Sequence, residues 1–204
     1  MPGYTSLLPK TGQTTKYVDG DDGDLEKGVA RSLTLLDSGQ YAGTTNITMN
    51  GATEAHTNNC ALDNVTGLMW TTRPSSAVGR DDGKGPFGVM PFTSSGGIGI
   101  WIYLAAANAA ALAGYSDWRI PNFIELVSVI NSENNNFQSP IDSAGWSVWS
   151  STTVGNSSSY VYIFSGSMIV VDRVLKTAAT KCILVRGDPQ APAATNIILI
   201  NPAP

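Results

Sequence analysis

The side chains that most often perform chemistry are scarce in this chain of 204 residues, which contains one histidine and two cysteines. A Ser-His-Asp or Cys-His catalytic group would depend on His56 alone, and Cys60 and Cys182 are too few and too distant to form a metal site with it. No glycine-rich phosphate-binding motif follows a predicted strand, and no pair of carboxylates is distinguished by its position. The sequence therefore predicts a protein that is not an enzyme and that binds no metal or cofactor.

The acidic stretch from Asp19 to Glu26 is rich in the oxygen ligands that calcium prefers. It lacks the spacing of an EF-hand loop, in which ligands alternate and a terminal Glu follows the Gly. A solvated acidic turn is the favoured interpretation, and a calcium site is the alternative.

An apolar run over residues 98–113 predicts a buried helix. We expect Trp101, Leu104 and Leu112 on one side of it. Gly114 should end this helix, because glycine adopts the left-handed backbone conformation without strain. The run is too short to cross a bilayer, which needs about 20 residues.

The segment that follows, Tyr-Ser-Asp-Trp-Arg at residues 115–119, joins this helix to a second one over residues 122–130. Pro121 should set φ in the first turn of the second helix. Trp118 is expected to fill a core, with Asp117 or Arg119 binding loop backbone. We therefore predict structural rather than binding roles for the polar and aromatic side chains of this junction, which are Asp117, Trp118, Arg119 and Glu125.

Two segments predict β structure. Residues 61–71 predict a strand with a bulge or turn at Thr66 and Gly67. Residues 160–164 and 167–173 predict a hairpin with Ser165 and Gly166 as its turn, which places Tyr160 opposite Val171. Alternation then separates an aliphatic face from an aromatic face. We expect the aliphatic face, Val161, Ile163, Met168 and Val170, in the core, and the aromatic face, Tyr160, Tyr162 and Phe164, either covered as well or open to a ligand.

Four stretches in order resemble the Lcl C-terminal domain family: Asp-Asn-Val-Thr-Gly-Leu-Met-Trp at residues 63–70, the segment 114–126, Val-Trp-Ser-Ser-Thr-Thr at 148–153, and the closing strand 181–187. The resemblance implies an α+β, C-type-lectin-like fold with two helices, a twisted antiparallel sheet and long loops. It implies structural roles for Trp70 and Trp149. It also implies that the segments of Cys60 and Cys182 lie close together, which leaves a disulfide and two free thiols as alternatives.

The resemblance divides the chain into an N-terminal extension over residues 1–59, a lectin-like domain over 60–187 and a linker with a terminal strand over 188–204. The extension is expected to pack on the domain, and the terminal strand to add to a neighbouring subunit. A charged fraction of 14% and a net charge of −4 exclude a nucleic-acid groove, which needs clustered Lys and Arg. No secretory signal is recognisable near Met1, so we expect a virion protein made in the host cytoplasm, with the bacterial cell surface as the alternative.

The resemblance suggests adhesion as the function. Some phage lectin-like proteins diversify the stretch between the Trp-Ser-Ser strand and the closing strand, and Tyr, Ser and Asn suit a recognition surface. We therefore predict a non-catalytic phage protein of a tail fibre, tail tip or decoration that recognises a host-surface glycan or protein. The alternative is a structural cement protein that contacts other virion subunits or forms a homo-oligomer. The predicted binding residues are Asn156, Ser157, Ser159, Tyr160, Tyr162 and Phe164.

Overall fold

The computed structural model describes residues 8–49, 51–72, 90–93, 99–133, 136–141, 147–155, 160–165 and 170–187. Over these residues the fold is α+β, with short helices and antiparallel strand pairs. The elements in chain order are α1 (Asp22–Leu25), β1 (Leu33–Leu36), β2 (Thr44–Met49), β3 (Ala52–Thr57), β4 (Cys60–Asp63), β5 (Met69–Thr71), β6 (Met90–Pro91), α2 (Ile100–Ala109), α3 (Phe123–Ser128), β7 (Ile130–Asn131), β8 (Asn136–Phe137), β9 (Ser147–Thr153), β10 (Tyr160–Ser165), β11 (Val170–Leu175), β12 (Ala179–Thr180) and β13 (Val185–Arg186).

The largest sheet has the strand order β1-β4-β5-β13, and a second sheet has the order β11-β10-β9. The N-terminal extension supplies β1, which pairs with β4 along its full length. The extension makes further contacts with the domain, since Arg31 donates to the carbonyl of Ser128 and the backbone N–H of Thr14 donates to Glu133 at 2.9 Å. As the sequence indicated, the extension therefore packs on the domain.

The stretch that predicted one strand over residues 61–71 forms two, β4 and β5, which pair with each other. Asp63 ends β4 and accepts hydrogen bonds from the backbone N–H groups of Val65 and Thr66 and from the Thr66 hydroxyl. Gly67 then takes φ +76° in the left-handed region. An aspartate that binds the backbone two and three residues on, followed by a left-handed glycine, makes a turn. The turn that the sequence predicted at Thr66 and Gly67 is therefore present, and it divides the predicted strand into two.

The first predicted helix is shorter than its apolar run, and of its three predicted core residues Leu112 is buried, Leu104 is partly buried and Trp101 is exposed. Helix α2 ends at Ala109, because Ala111 and Ala113 have φ values of +50° and +53°. Gly114 takes a left-handed φ as expected, but it ends a separate 3-10 turn over Leu112–Gly114. The prediction for Trp101 was wrong, since it is 41% exposed while the side chains buried along α2 are Ile100, Tyr103 and Ala107.

The second predicted helix is also shortened at both ends. Asn122 is its N-cap: its side chain accepts from the backbone N–H of Glu125, and the Glu125 carboxylate accepts from the backbone N–H of Asn122. This capping box places Pro121 before the cap rather than in the first turn, because an Asn cap satisfies helix N–H groups that a proline cannot.

The predicted hairpin between β10 and β11 exists, but its register differs. Tyr160 pairs with Leu175 and Ser165 with Val170, so the two-residue turn at Ser165 and Gly166 and the pairing of Tyr160 with Val171 were wrong. Ser165 is the last residue of β10, and the predicted turn residue Gly166 and Met168 lie outside the described residues. The shift is four residues and therefore even, so each position keeps the face that the sequence predicted.

Buried apolar side chains form two clusters on opposite sides of the β9–β10 pair. The first contains Trp149 and Ile163, which are partners in the register, together with Tyr103 and Trp118. The second contains Val148, the neighbour of Trp149 on β9, and side chains that include Leu126 of α3. The burial of Ile163 places its face of β10 in the core, as predicted.

Candidate functional site

The junction after α2 is organised by Trp118, which is 2% exposed. Its indole Nε1–H donates to the carbonyl of Leu112 at 2.9 Å. The Asn108 side chain binds its backbone from both sides, accepting from the Trp118 N–H at 2.8 Å and donating to the Trp118 carbonyl at 2.9 Å. Asn108 thus satisfies backbone groups that no strand or helix pairs, and Trp118 occupies the first cluster.

Arg119 and Glu125 form a partly buried ion pair next to this tryptophan. Both terminal nitrogens of Arg119 contact the Glu125 carboxylate, at 2.7 and 2.6 Å, and one also donates to the carbonyl of Gly187 at 3.0 Å. The backbone of Arg119 exchanges two hydrogen bonds with Val185 of β13. The pair therefore joins the cap of α3 to the closing strand, and Glu125 is only 8% exposed at its side chain while Arg119 is 36% exposed.

Asp117 has its partner on the closing strand as well. Its carboxylate accepts from Nε and Nη2 of Arg186 at 2.7 and 3.0 Å. These hydrogen bonds lower the pKa of Asp117 and raise the pKa of Arg186. The Asp117 side chain is nevertheless 57% exposed, so the pair lies at the surface.

Three further side chains complete a surface group with this pair. The Arg186 guanidinium lies 3.7 Å from the centre of the Tyr115 ring, a cation–π contact. The Tyr115 hydroxyl lies 2.8 Å from the Tyr41 hydroxyl and accepts from Nε2 of Gln40 at 2.9 Å. We call the set of Gln40, Tyr41, Tyr115, Asp117 and Arg186 the tyrosine–arginine cluster.

The tyrosine–arginine cluster was not predicted from the sequence. Gln40 and Tyr41 lie in the extension, and Tyr41 is separated by 74 residues from Tyr115. The two tyrosine rings are close to parallel, with centroids 6.4 Å apart, and burial together with the hydroxyl contact raises the pKa of Tyr41. The motif at residues 114–126 drew attention to Asp117, but the spacing of residues in the sequence did not indicate that Arg186 is its partner.

Of the predicted binding residues, Asn156, Ser157 and Ser159 lie outside the described residues. Tyr160, Tyr162 and Phe164 occupy alternate positions of β10, whose backbone alone is described at these three positions.

The register divides this face of β10 into an open end and a covered end. Tyr160 and Tyr162 pair with Leu175 and Arg173 of β11, which are exposed, Leu175 by 47%. Phe164 pairs with Val148, which is buried in the second cluster beneath α3. The position of Phe164 therefore adjoins a core rather than the open surface.

The two cysteines are free thiols. β13 pairs with β5, which brings the closing strand beside the first motif as expected. β5 nevertheless lies between β4, which carries Cys60, and the closing strand that follows Cys182. Of the two alternatives, the structure has the free thiols. Burial raises the pKa of Cys60 to about 12 and also raises that of Cys182, so neither is an activated nucleophile.

The carboxylates of the acidic stretch are bound by lysine side chains and backbone N–H groups. Asp21 caps α1, and Lys16 contacts Asp19 and Asp24 at 2.6 and 3.0 Å. Glu26 pairs with Lys10 at 2.8 Å. Within the described part of the chain no group of three His, Cys, Asp or Glu side chains is arranged to hold a metal ion, and no helix is long and apolar enough to cross a membrane.

His56 makes the stability of the protein depend on pH. It lies on β3 with its ring 5.7 Å from that of Tyr103, and burial lowers its pKa from 6.5 to about 4. Between pH 6.5 and pH 4, His56 therefore binds more protons in the unfolded chain than in the folded protein. The free energy of unfolding is highest above pH 6.5 and decreases as the pH falls towards 4. We expect a loss of up to about 3 kcal/mol over this interval. Unfolding by denaturant at several pH values checks this, and His56→Gln should remove that part of the dependence.

These observations define the class of protein: an α+β domain of antiparallel sheets in which side chains of the junction after α2, Asp117 and Arg119, bind the closing strand. The family model of the Lcl C-terminal domain matches residues 59–186, and the chain belongs to that family. None of the curated proteins with which the sequence was compared matches it. The family points to an adhesin-like or binding role.

Proposed function

We propose that this protein is a non-catalytic binding protein with a C-type-lectin-like fold, which recognises a glycan or protein on a host cell surface. The observation that carries this is the open end of the β10–β11 face, where Tyr160 and Tyr162 pair with exposed Arg173 and Leu175. Val174, between them on β11, packs against the first cluster, so one side of the strand faces the core while the other side carries the exposed residues Arg173 and Leu175. Tyrosine beside an aliphatic side chain and an arginine is typical of recognition surfaces.

A binding role without catalysis agrees with the titratable groups. The thiols have raised pKa values, and the pKa of His56 is near 4, below the range in which a general base works at neutral pH. The setting that we propose is a virion, as part of a tail fibre, tail tip or decoration, because a chain with 14% charged residues suits an assembled extracellular particle. The bacterial cell surface is the alternative setting.

The binding face can be tested by replacing Tyr160 and Tyr162 together with Ala. We expect adsorption of the fluorescently labelled full chain to a panel of bacterial cells to fall at least tenfold. The thermal midpoint should stay within a few degrees of the parent, because the register partners of both tyrosines on β11 are exposed. Phe164→Ala is the matched control: its position adjoins the second cluster, so it should destabilise the protein instead. Equal adsorption of the double tyrosine variant and the parent would remove this face from the proposed function.

A structural cement protein is the second candidate. β11 is the outer strand of its sheet among the described residues, and an outer strand offers unpaired backbone groups to a neighbouring subunit. The residue run 195–200, predicted as a strand, lies outside the described residues. Under this candidate, Tyr160→Ala with Tyr162→Ala, or removal of residues 195–204, should change the oligomer measured by sedimentation and leave adsorption to cells unaffected.

A further inference from the structure

We propose that the tyrosine–arginine cluster is a subsite for a neutral saccharide. This rests on the proposed function in that the ligand is a cell-surface glycan. It adds a second contact region, made of Gln40, Tyr41, Tyr115, Asp117 and Arg186, that shares no residue with the β10–β11 face.

The first reason is the combination of polar groups. Saccharide hydroxyls both donate and accept hydrogen bonds, and their pairs are bound by planar amide, carboxylate and guanidinium groups. The cluster presents two tyrosine hydroxyls, the Gln40 amide and the Asp117 carboxylate within one set of contacts. Arg186 contacts each carboxylate oxygen of Asp117 once, and each oxygen has a second lone pair with which to accept from a ligand hydroxyl.

The second reason is that the cluster is held in place before any ligand arrives. Arg186 is bound on one side by Asp117 and stacks on the Tyr115 ring on the other. Tyr115 in turn packs edge-on against the buried Trp118 at 6.3 Å. Side chains that are already ordered lose little conformational entropy on binding, which favours a weak ligand such as a small saccharide.

The third reason concerns charge. Asp117 and Arg186 neutralise each other through two hydrogen bonds, so the pair presents no net charge to a sulfate or carboxylate. The net charge of the chain, −4, also repels anionic polymers. What the cluster offers to a ligand is a set of hydroxyl, amide and charge-compensated carboxylate groups, which fits an uncharged sugar better than an acidic one.

The cluster also joins two parts of the chain. Tyr115, Asp117 and Arg186 lie within the family match, whereas Gln40 and Tyr41 precede it. The ligand preference of the subsite is therefore expected to be a property of this chain and its extension rather than of the matched domain alone.

The test is a titration of the isotope-labelled full chain, followed by proton–nitrogen correlation spectra. The probes are methyl β-glucoside, methyl β-galactoside and methyl N-acetyl-β-glucosaminide, with methyl β-glucuronide as the anionic comparison. We expect one neutral probe to shift the Nε–H signal of Arg186 and the indole signal of Trp118 saturably, with a dissociation constant on the order of millimolar.

Variants that remove polar atoms from the cluster should weaken this binding about tenfold. Gln40→Ala and Tyr41→Phe are suitable, because Gln40 is exposed and the Tyr41 ring is retained. Tyr17→Phe is the matched control, an exposed tyrosine elsewhere in the extension, and should leave binding unchanged. Absence of a saturable shift with every neutral probe, a response to the glucuronide alone, or equal affinity of the cluster variants and the parent would each overturn the proposal. None of these results affects adsorption through Tyr160 and Tyr162, so the two proposals fail separately.

Discussion

Trp118→Ala is expected to lower the free energy of unfolding by about 3–5 kcal/mol, the usual cost of deleting a large buried aromatic side chain. The indole is 2% exposed in the first cluster, so its loss leaves a cavity that neighbouring side chains fill only in part. The hydrogen bond from Nε1 to the Leu112 carbonyl is also lost, and that carbonyl then keeps only its hydrogen bond from the Tyr115 backbone N–H among the described contacts.

Chemical denaturation followed by circular dichroism measures this loss, and Trp101→Ala is a matched control. Trp101 is also a tryptophan of the same region, but it is 41% exposed and its ring contact is the edge contact with Phe92 at 5.3 Å. Its replacement should cost clearly less than that of Trp118. Equal losses in the two variants would show that Trp118 is no more important to the core than a surface aromatic.

Arg119→Met is expected to cost about 2–4 kcal/mol, because it leaves the Glu125 carboxylate buried without its countercharge. The full cost of breaking a buried pair is reduced here because Arg119 is 36% exposed and water already reaches part of it. The variant also loses the hydrogen bond to the Gly187 carbonyl, so the end of the closing strand should loosen. Denaturation measures the total, and hydrogen exchange at Val185 and Arg186 measures the local part.

Adding Glu125→Gln tests whether the cost of Arg119→Met comes from the unpaired charge of the Glu125 carboxylate. The neutral amide keeps an acceptor for the Asn122 N–H and carries no charge, so the double variant should regain part of the stability. Lys10→Met, which removes an exposed ion pair with Glu26, is the control and should cost less than about 1 kcal/mol. A double variant that is less stable than Arg119→Met would contradict this account of the pair.

The local elements were the part of the fold that could be predicted from residues close together in the chain. The helix before Gly114, the helix after Pro121 and the β10–β11 hairpin all exist, because caps, turns and hydrophobic alternation act over a few residues. Their ends and register were less accurate. Helix α2 ends at Ala109, before its apolar run does, where two alanines adopt left-handed φ values and the chain turns towards Trp118. The helix propensity of alanine does not predict that the helix ends at this position.

The division of the aromatic face shows the same limit. Alternation along β10 groups Tyr160, Tyr162 and Phe164 from the sequence alone. Which end of that face is open depends on the neighbouring strands: β9 places buried Val148 opposite Phe164, and β11 places exposed Leu175 opposite Tyr160.

The sequence by itself determined the family, the scarcity of histidine and cysteine and the core position of Trp118, because these depend on residue types and on motifs that are continuous in the chain. Only the tertiary structure decided the partners: Asp117 with Arg186, Arg119 with Glu125 and Gly187, and Tyr41 with Tyr115. The tyrosine–arginine cluster joins residues up to 146 positions apart, from Gln40 to Arg186. Hydrogen bonds and ring contacts act over a few ångströms in space, so residues that meet only after the sheet has formed leave no periodic signal in the sequence.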